Sequence, residues 1–202
     1  MLITIEGPNG IGKTTTCKEV ADRLRDKGYT VLVIAPKDNL FKGNVTGPNA
    51  FYFHLYNHVS FLDKIIENNP FCDILILDRW VESFLIYQGV LQNNYGYAKE
   101  SVNNLLINFK HKGFKIGPIR SDMCFVLDAK VETVMENMAN RNGEEVARSH
   151  ALYIRKEVEA YRVAKLSCYT GELFRVNIDR IGASRDDIYD YITGHIDGGY
   201  VK

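Results

Sequence analysis

The stretch Gly7-Pro8-Asn9-Gly10-Ile11-Gly12-Lys13-Thr14 has the spacing GxxxxGK[ST], and that spacing points to phosphate chemistry. Its glycines let the backbone curl so that successive N–H groups face inward on phosphate oxygens. The helix that follows adds the positive end of its dipole. On this reading Gly7, Asn9, Gly10, Ile11, Gly12, Lys13, Thr14 and Thr15 bind the phosphates of a nucleotide. Lys13 reaches the β- and γ-phosphates as a point charge, and Thr14 sets its hydroxyl on Mg2+.

A second constellation follows the apolar run Ile74-Leu75-Ile76-Leu77, where Asp78-Arg79-Trp80 stand together. An acid at the carboxyl end of a buried strand can hold Mg2+, directly or through water, beside the threonine of the phosphate loop. Arg79 falls where open α/β sheets bind ligands. Its fork of donors suits a second phosphate, the one that attacks. The plainer alternative for Asp78-Arg79 is an ordinary strand-end ion pair. The apolar strand before them and the phosphate loop elsewhere in the chain weigh against it.

The elements that must position these groups read as short β-branched strands alternating with amphipathic helices. Strands are expected at 2–6, 30–35, 73–77, 123–128 and 173–178, each nearly continuously apolar, as befits strands covered on both faces. Helices are expected at 13–27, from about 48 to 69, and at 81–91, 99–110, 131–140, 149–167 and 185–196. The fold class is therefore α/β, a five-stranded parallel sheet flanked by helices in three layers. With no repeat, linker or composition shift, residues 1–202 are expected to form a single domain.

Bulk properties narrow the function. Lysine plus arginine and aspartate plus glutamate both number 25, so the net charge is zero, and no nucleic-acid partner is expected of a chain without a basic excess. Four dispersed cysteines (Cys17, Cys72, Cys124, Cys168) show no metal-ligand spacing and suit a reducing compartment. No signal peptide or membrane-length apolar run is evident, so a cytoplasmic protein without a membrane partner is expected. A guanine-reading Asn/Thr-Lys-x-Asp motif is also missing from the sequence, which argues against a switch GTPase.

The segment from Asp78 to Gly89 resembles the thymidylate kinases, whose members carry Asp-Arg-aromatic/His and then a Ser-x-x-Ala-Tyr-Gln-Gly run. Here Asp78, Arg79, Trp80, Ser83, Tyr87, Gln88 and Gly89 keep that spacing. Ile5-Glu6-Gly7, Gly12-Lys13-Thr14-Thr15 and Phe125-Val126-Leu127-Asp128 are similar too. The resemblance implies the P-loop nucleoside monophosphate kinase fold, and transfer of the γ-phosphate of ATP to dTMP with Mg2+ held at Thr14 and Asp78. It implies catalytic roles for Lys13, Arg79, Arg141 and Arg148, the last two in a short LID at about 141–149, with Arg155 a further candidate. Charge spreading over the transferring phosphoryl is met by such arginines, and closure keeps water out. The acceptor would be bound by Asn9, Lys37, Phe53, His54, His58, Arg79, Ser83, Phe84, Tyr87 and Gln88, with Tyr87 under the deoxyribose leaving no room for a 2′-hydroxyl. The resemblance also implies a homodimer.

The chain departs from the family pattern at four places. Asn9 stands where the family usually has an acid that contacts the sugar 3′-hydroxyl. Lys37 follows strand two where an arginine is usual. His54 and His58 replace a stacking phenylalanine and a base-reading arginine, with Phe53 one residue from the stacking register. Gln92 replaces an arginine beyond the Tyr-Gln-Gly glycine. Since a pocket built around one base edge discriminates through that partner, the acceptor reading stays open among dTMP, dUMP, a modified deoxyuridylate and another pyrimidine deoxynucleotide. A deoxynucleoside kinase, which typically has Glu-Arg-Ser after strand three, and a nucleotide-binding module without transferase activity are the alternatives.

Overall fold

The structure is a computed structural model, and it describes residues 1–35, 50–111, 120–164, 166, 170–179 and 183–198. For 50–55, 58, 88, 105, 106, 108–111, 183 and 184 the backbone alone is described. The elements run β1 (Leu2–Glu6), α1 (Lys13–Asp26), β2 (Val31–Ile34), α2 (Ala50–Asn68), β3 (Ile74–Asp78) and α3 (Val81–Phe84). A π-helical turn (Leu85–Val90) leads to α4 (Tyr95–His111), β4 (Ser121–Asp128), α5 (Val131–Asn142), α6 (Glu144–Ser149), α7 (Ala151–Val163), β5 (Thr170–Asn177) and α8 (Ala183–Asp197).

All strand pairs are parallel, in the order β2-β3-β1-β4-β5. Alternation along each strand sends successive side chains to opposite faces. Ile3, Ile5, Ile74, Ile76, Met123, Phe125 and Leu127 share one core with Val20, Leu24, Val134, Ile188 and Ile192 of α1, α5 and α8. Leu2, Leu75 and Leu77 face the other way onto Val59, Leu62, Val81 and Val102 of α2, α3 and α4. Cys124 and Val126 meet Ala160 and Tyr161 of α7 on that same second face. This is the three-layer arrangement expected, with β1 at its centre and the order reversing beside it.

Three local results differ from the sequence expectation. The helix expected over 81–91 divides: after α3 the backbone widens to i→i+5 bonding, with Leu91 N–H donating to Ile86 O at 2.9 Å. Gly89 permits this turn to lie against α4, because a Cβ there would come within 3.1 Å of Ala98 Cβ and 3.2 Å of Tyr95 Cα. The polar stretch expected to be a loop after residue 140 is mostly helical. Gly143, at φ 92, breaks the chain between α5 and α6, and a second break at His150 starts α7. Finally, β4 and β5 begin earlier than their apolar runs, because Ser121 pairs with Thr170 and Asp122 Oδ2 accepts the Leu2 N–H at 2.7 Å. Hydrogen bonding extends these strands where hydropathy gives no signal. No helix among the described residues is long and apolar enough to cross a membrane.

Candidate active site

At the carboxyl ends of β1 and β3 the chain turns sharply twice. The first turn is the phosphate loop, where Gly7, Gly10 and Gly12 adopt φ of 143, 82 and 100. These values suit glycine and few other residues. At Gly7 there is also no space, since a Cβ would lie 2.9 Å from Leu127 O. Ile11 is buried and anchors the loop to the core, with its N–H donating to Pro8 O at 3.3 Å. Lys13 folds back over the loop, its Nζ donating to Gly7 O at 2.9 Å and Pro8 O at 2.8 Å. Burial pushes its pKa down to about 7, and the charge of Arg79 adds to the effect. A lysine so desolvated is an electrostatic group held ready for anionic oxygens.

The second turn follows β3. Ile5 and Asp78 are register partners, and Arg79 N–H donates to Ile5 O at 3.1 Å. Asp78 Oδ2 accepts the Thr14 hydroxyl at 2.5 Å, while Asp78 Oδ1 is buried with no hydrogen-bond partner among the described residues. A threonine hydroxyl and a carboxylate with one free oxygen form the hard-oxygen donor set that Mg2+ takes beside nucleotide phosphates, so the residues present fit that ion.

Arg79 is a non-glycine residue at φ 82, a conformation that costs about 1–3 kcal/mol and persists only where surroundings over-determine it. Its Nη2 donates to Asn9 Oδ1 at 2.7 Å, and its Nη1 to Ser83 Oγ at 3.1 Å and Tyr161 hydroxyl at 3.0 Å. The guanidinium carbon lies 5.1 Å from the centre of the Tyr87 ring. Beneath it sits Glu6, fully buried. Its Oε1 accepts Trp80 N–H at 2.6 Å, and its Oε2 accepts the hydroxyls of Ser83 at 2.6 Å and Tyr161 at 3.1 Å. Burial pushes the Glu6 carboxyl up, and the Arg79 charge opposes the shift.

A cleft of about 1460 Å3 runs over these groups. The loop residues Asn9 to Thr15, with Asp78 and Arg79, line one part of it, and Thr133, Asn137, Arg141 and Arg185 the other.

A thymidylate kinase family model matches residues 5–176, from the end of β1 to the end of β5. The chain belongs to the thymidylate kinase family. It is similar to the thymidylate kinase of Exiguobacterium sp., at 22% identity over all of this chain and 98% of that one. It is also similar to the probable thymidylate kinase of Thermoplasma acidophilum, at 30% identity over 70% of this chain and 72% of that one. The solved thymidylate kinase of Ehrlichia chaffeensis shares the fold, with a TM-score of 0.60 at 18% identity over 97% of this chain and 98% of that one. Membership makes the chain a nucleoside monophosphate kinase, a phosphotransferase using ATP.

Within this thymidylate kinase fold the expected site residues fall into four groups. Asn9, Gly10, Ile11, Gly12, Lys13, Thr14, Thr15, Asp78 and Arg79 converge at the cleft, Arg141 lines it from α5, and Gly7 lies behind the loop, its carbonyl on Lys13. Ser83 lies behind Arg79 as its support, and Phe84 is half-buried against the α2–α4 core. Arg148 faces away: it is 78% exposed and paired with Glu144 at 2.7 Å. Arg155 is likewise exposed and outside the cleft lining. Lys37 lies outside the described residues, as do the side chains of Phe53, His54, His58 and Gln88.

Glu157, Tyr161 and Arg185 were not singled out by their sequence context, and Glu6 stood only within the family-like run Ile5-Glu6-Gly7 with no role of its own. Glu157 was nonetheless detectable: it interrupts the buried stripe Ile154, Val158, Tyr161 of α7 with an acid.

Glu82 is a second acid in an apolar setting. It is fully buried, with no hydrogen-bond partner for either carboxylate oxygen among the described residues, and burial pushes it up to about 8, helped by the Glu6 charge. A raised carboxyl contributes stability that is fully present below its unfolded pKa of about 4.5 and lost as pH rises through the folded value. Between pH 5.5 and 8 the contribution of Glu82 to the melting temperature should therefore fall. The isosteric Glu82→Gln, which has no such ionisation, should exceed wild type at pH 8 by at least about 3 °C more than it does at pH 5.5. Parallel melting curves across that window would disprove an ionising Glu82.

Proposed function

We propose that this cleft moves the γ-phosphate of ATP onto the 5′-phosphate of dTMP, with Lys13 and Arg141 on the transferring phosphoryl and Arg79 on the acceptor phosphate. The observation that carries the reading is the joining of two phosphate-binding groups at one residue. Asn9 belongs to the donor's loop, and its side chain accepts from Arg79 Nη2 at 2.7 Å. Donor and acceptor phosphates bound to such adjacent groups meet at near-attack distance, and positioning supplies most of what phosphoryl transfer requires. The attacking oxygen of a monophosphate is already anionic, so no general base is needed. Tyr87, beneath the Arg79 guanidinium, would then lie against the acceptor's sugar.

Thr14 and Asp78 would hold Mg2+. When bound, that ion supplies charge neutralisation on the donor's β- and γ-oxygens. Lys13, brought to a pKa of about 7 by burial, regains its charge when phosphates approach, because an adjacent anion favours the protonated amine.

ADP release with Mg·ATP, measured against dTMP, dUMP, dCMP, dGMP, dAMP and hydroxymethyl-dUMP, tests this directly. Turnover is expected with dTMP foremost and little without an acceptor. Preference for another pyrimidine would keep the mechanism and move the substrate. ATP consumption indifferent to every acceptor would defeat the reading.

A further inference from the structure

Glu157 has no part in the phosphate chemistry above, yet it is fully buried beside the groups that perform it. Its Oε1 accepts the backbone N–H of Asn9 at 2.8 Å and also the hydroxyl of Tyr87. Its Oε2 is buried with no hydrogen-bond partner among the described residues. Burial raises its pKa, while the Asn9 N–H and the charges of Arg79 and Lys13 oppose that shift. An acid in the apolar stripe of α7 is a poor choice for packing, since burying a carboxylate costs far more than burying a leucine. What the acid supplies is a strong acceptor at one point in space, the point where the phosphate loop and the π-helical turn come together.

Tyr87 is then held twice. Its ring lies under the Arg79 guanidinium at 5.1 Å, and its hydroxyl is fixed on Glu157. Glu157 is in turn tied to Asn9, whose side chain accepts from Arg79. The circuit closes through residues from four segments: the loop after β1, the turn after β3, the π-helical turn and α7.

Rigidity matters here because of what a sugar pocket must do. A pocket that rejects an added hydroxyl by shape alone gains only about a hundredfold discrimination, and less if its wall can move aside. A tyrosine ring free to turn about χ1 and χ2 is such a wall. One tethered at both ends is not.

We propose that Glu157 is the positioning residue that sets the sugar specificity of the acceptor pocket, by fixing the Tyr87 hydroxyl against the phosphate loop so that the ring blocks a ribose 2′-hydroxyl. This rests on the acceptor reading of Arg79 and Tyr87 given above. Oε1 is the working atom, and a carboxylate makes it a stronger acceptor than a neutral amide would be.

The test compares kcat and KM for dTMP and for its ribose counterpart, 5-methyluridine monophosphate, at saturating Mg·ATP. It uses the full chain and the variants Glu157→Ala, Glu157→Gln and Tyr87→Phe. Wild-type turnover of dTMP is read first, and its failure would defeat the acceptor reading itself. Glu157→Ala should lower the deoxy-to-ribo ratio of kcat/KM by about tenfold or more, mainly through a lower KM for the ribonucleotide, with kcat for dTMP within about threefold of wild type. Tyr87→Phe removes the same hydrogen bond from the other side without touching a buried charge, so it should reproduce the loss even if Glu157→Ala folds poorly. Glu157→Gln keeps an acceptor oxygen and should retain the ratio within about threefold.

An unchanged ratio in Tyr87→Phe overturns the proposal. So does an equal fall in kcat/KM for both sugars in Glu157→Ala, which is what a merely structural acid would give.

Discussion

Lys13→Ala should reduce phosphoryl transfer by about a thousandfold or more while the melting temperature stays within about 4 °C of wild type. The two halves of that expectation have separate causes. Transfer falls because charge spreads over the γ-phosphoryl oxygens in the transition state, and on the proposed reading Lys13 would be the loop's cation beside them. Stability holds because the ammonium is desolvated, with a pKa brought down to about 7 by burial. Removing it relieves a penalty of the same kind as it forfeits in its bonds to Gly7 O and Pro8 O. Steady-state kinetics with thermal melts on the same preparation check both. Residual turnover within about tenfold of wild type would sink the assignment of Lys13.

Arg79→Ala should raise the KM for the acceptor monophosphate by about a hundredfold or more while ATP affinity changes by less than about threefold. The selectivity follows from where the guanidinium is held. Asn9, Ser83 and Tyr161 hold it in place, on what the proposed reading makes the acceptor side, whereas on that reading the donor's phosphates would be bound by the loop backbone and Lys13. Removing this cation also leaves the buried Glu6 and Glu157 without the charge that holds their carboxyls down, so the alanine variant should lose some stability as well. Arg79→Lys separates the two effects: it restores a charge without the planar fork, so stability should return further than acceptor binding. Titration of ATP by calorimetry alongside acceptor kinetics decides the matter. Equal losses in both affinities would remove Arg79 from the acceptor role.

These two residues were legible in the sequence for a physical reason. Lys13 lies in a contiguous motif whose geometry is local: the glycines, the strand before and the helix after act within a dozen residues, so spacing alone specifies the loop. Arg79 follows an apolar strand, and in open α/β sheets ligands bind beyond the carboxyl ends of the strands. The strands also read correctly in type, because burial on both faces leaves a strong apolar signal, whereas the π-helical turn within 81–91 and α6 within the expected loop did not.

What the sequence by itself determined, then, is the phosphate-loop motif, the parallel sheet and the family, and it marked Thr14, Asp78 and Arg79 as the candidates for metal and acceptor binding. Only the tertiary structure decided which charges support them. Glu157 meets Asn9 across 148 residues of chain, and Tyr87 across 70. Glu6 meets Tyr161 across 155. No spacing rule reaches so far, since such pairs depend on which helix crosses which strand end. The same holds for Arg141 and Arg148, seven residues apart and alike in sequence context. The break at Gly143 and the short α6 turn one into the cleft and leave the other paired with Glu144 in solvent. A chain encodes its local geometry in adjacent residues. The partners of a buried charge are settled by packing, because only the folded core removes the water that would otherwise satisfy it.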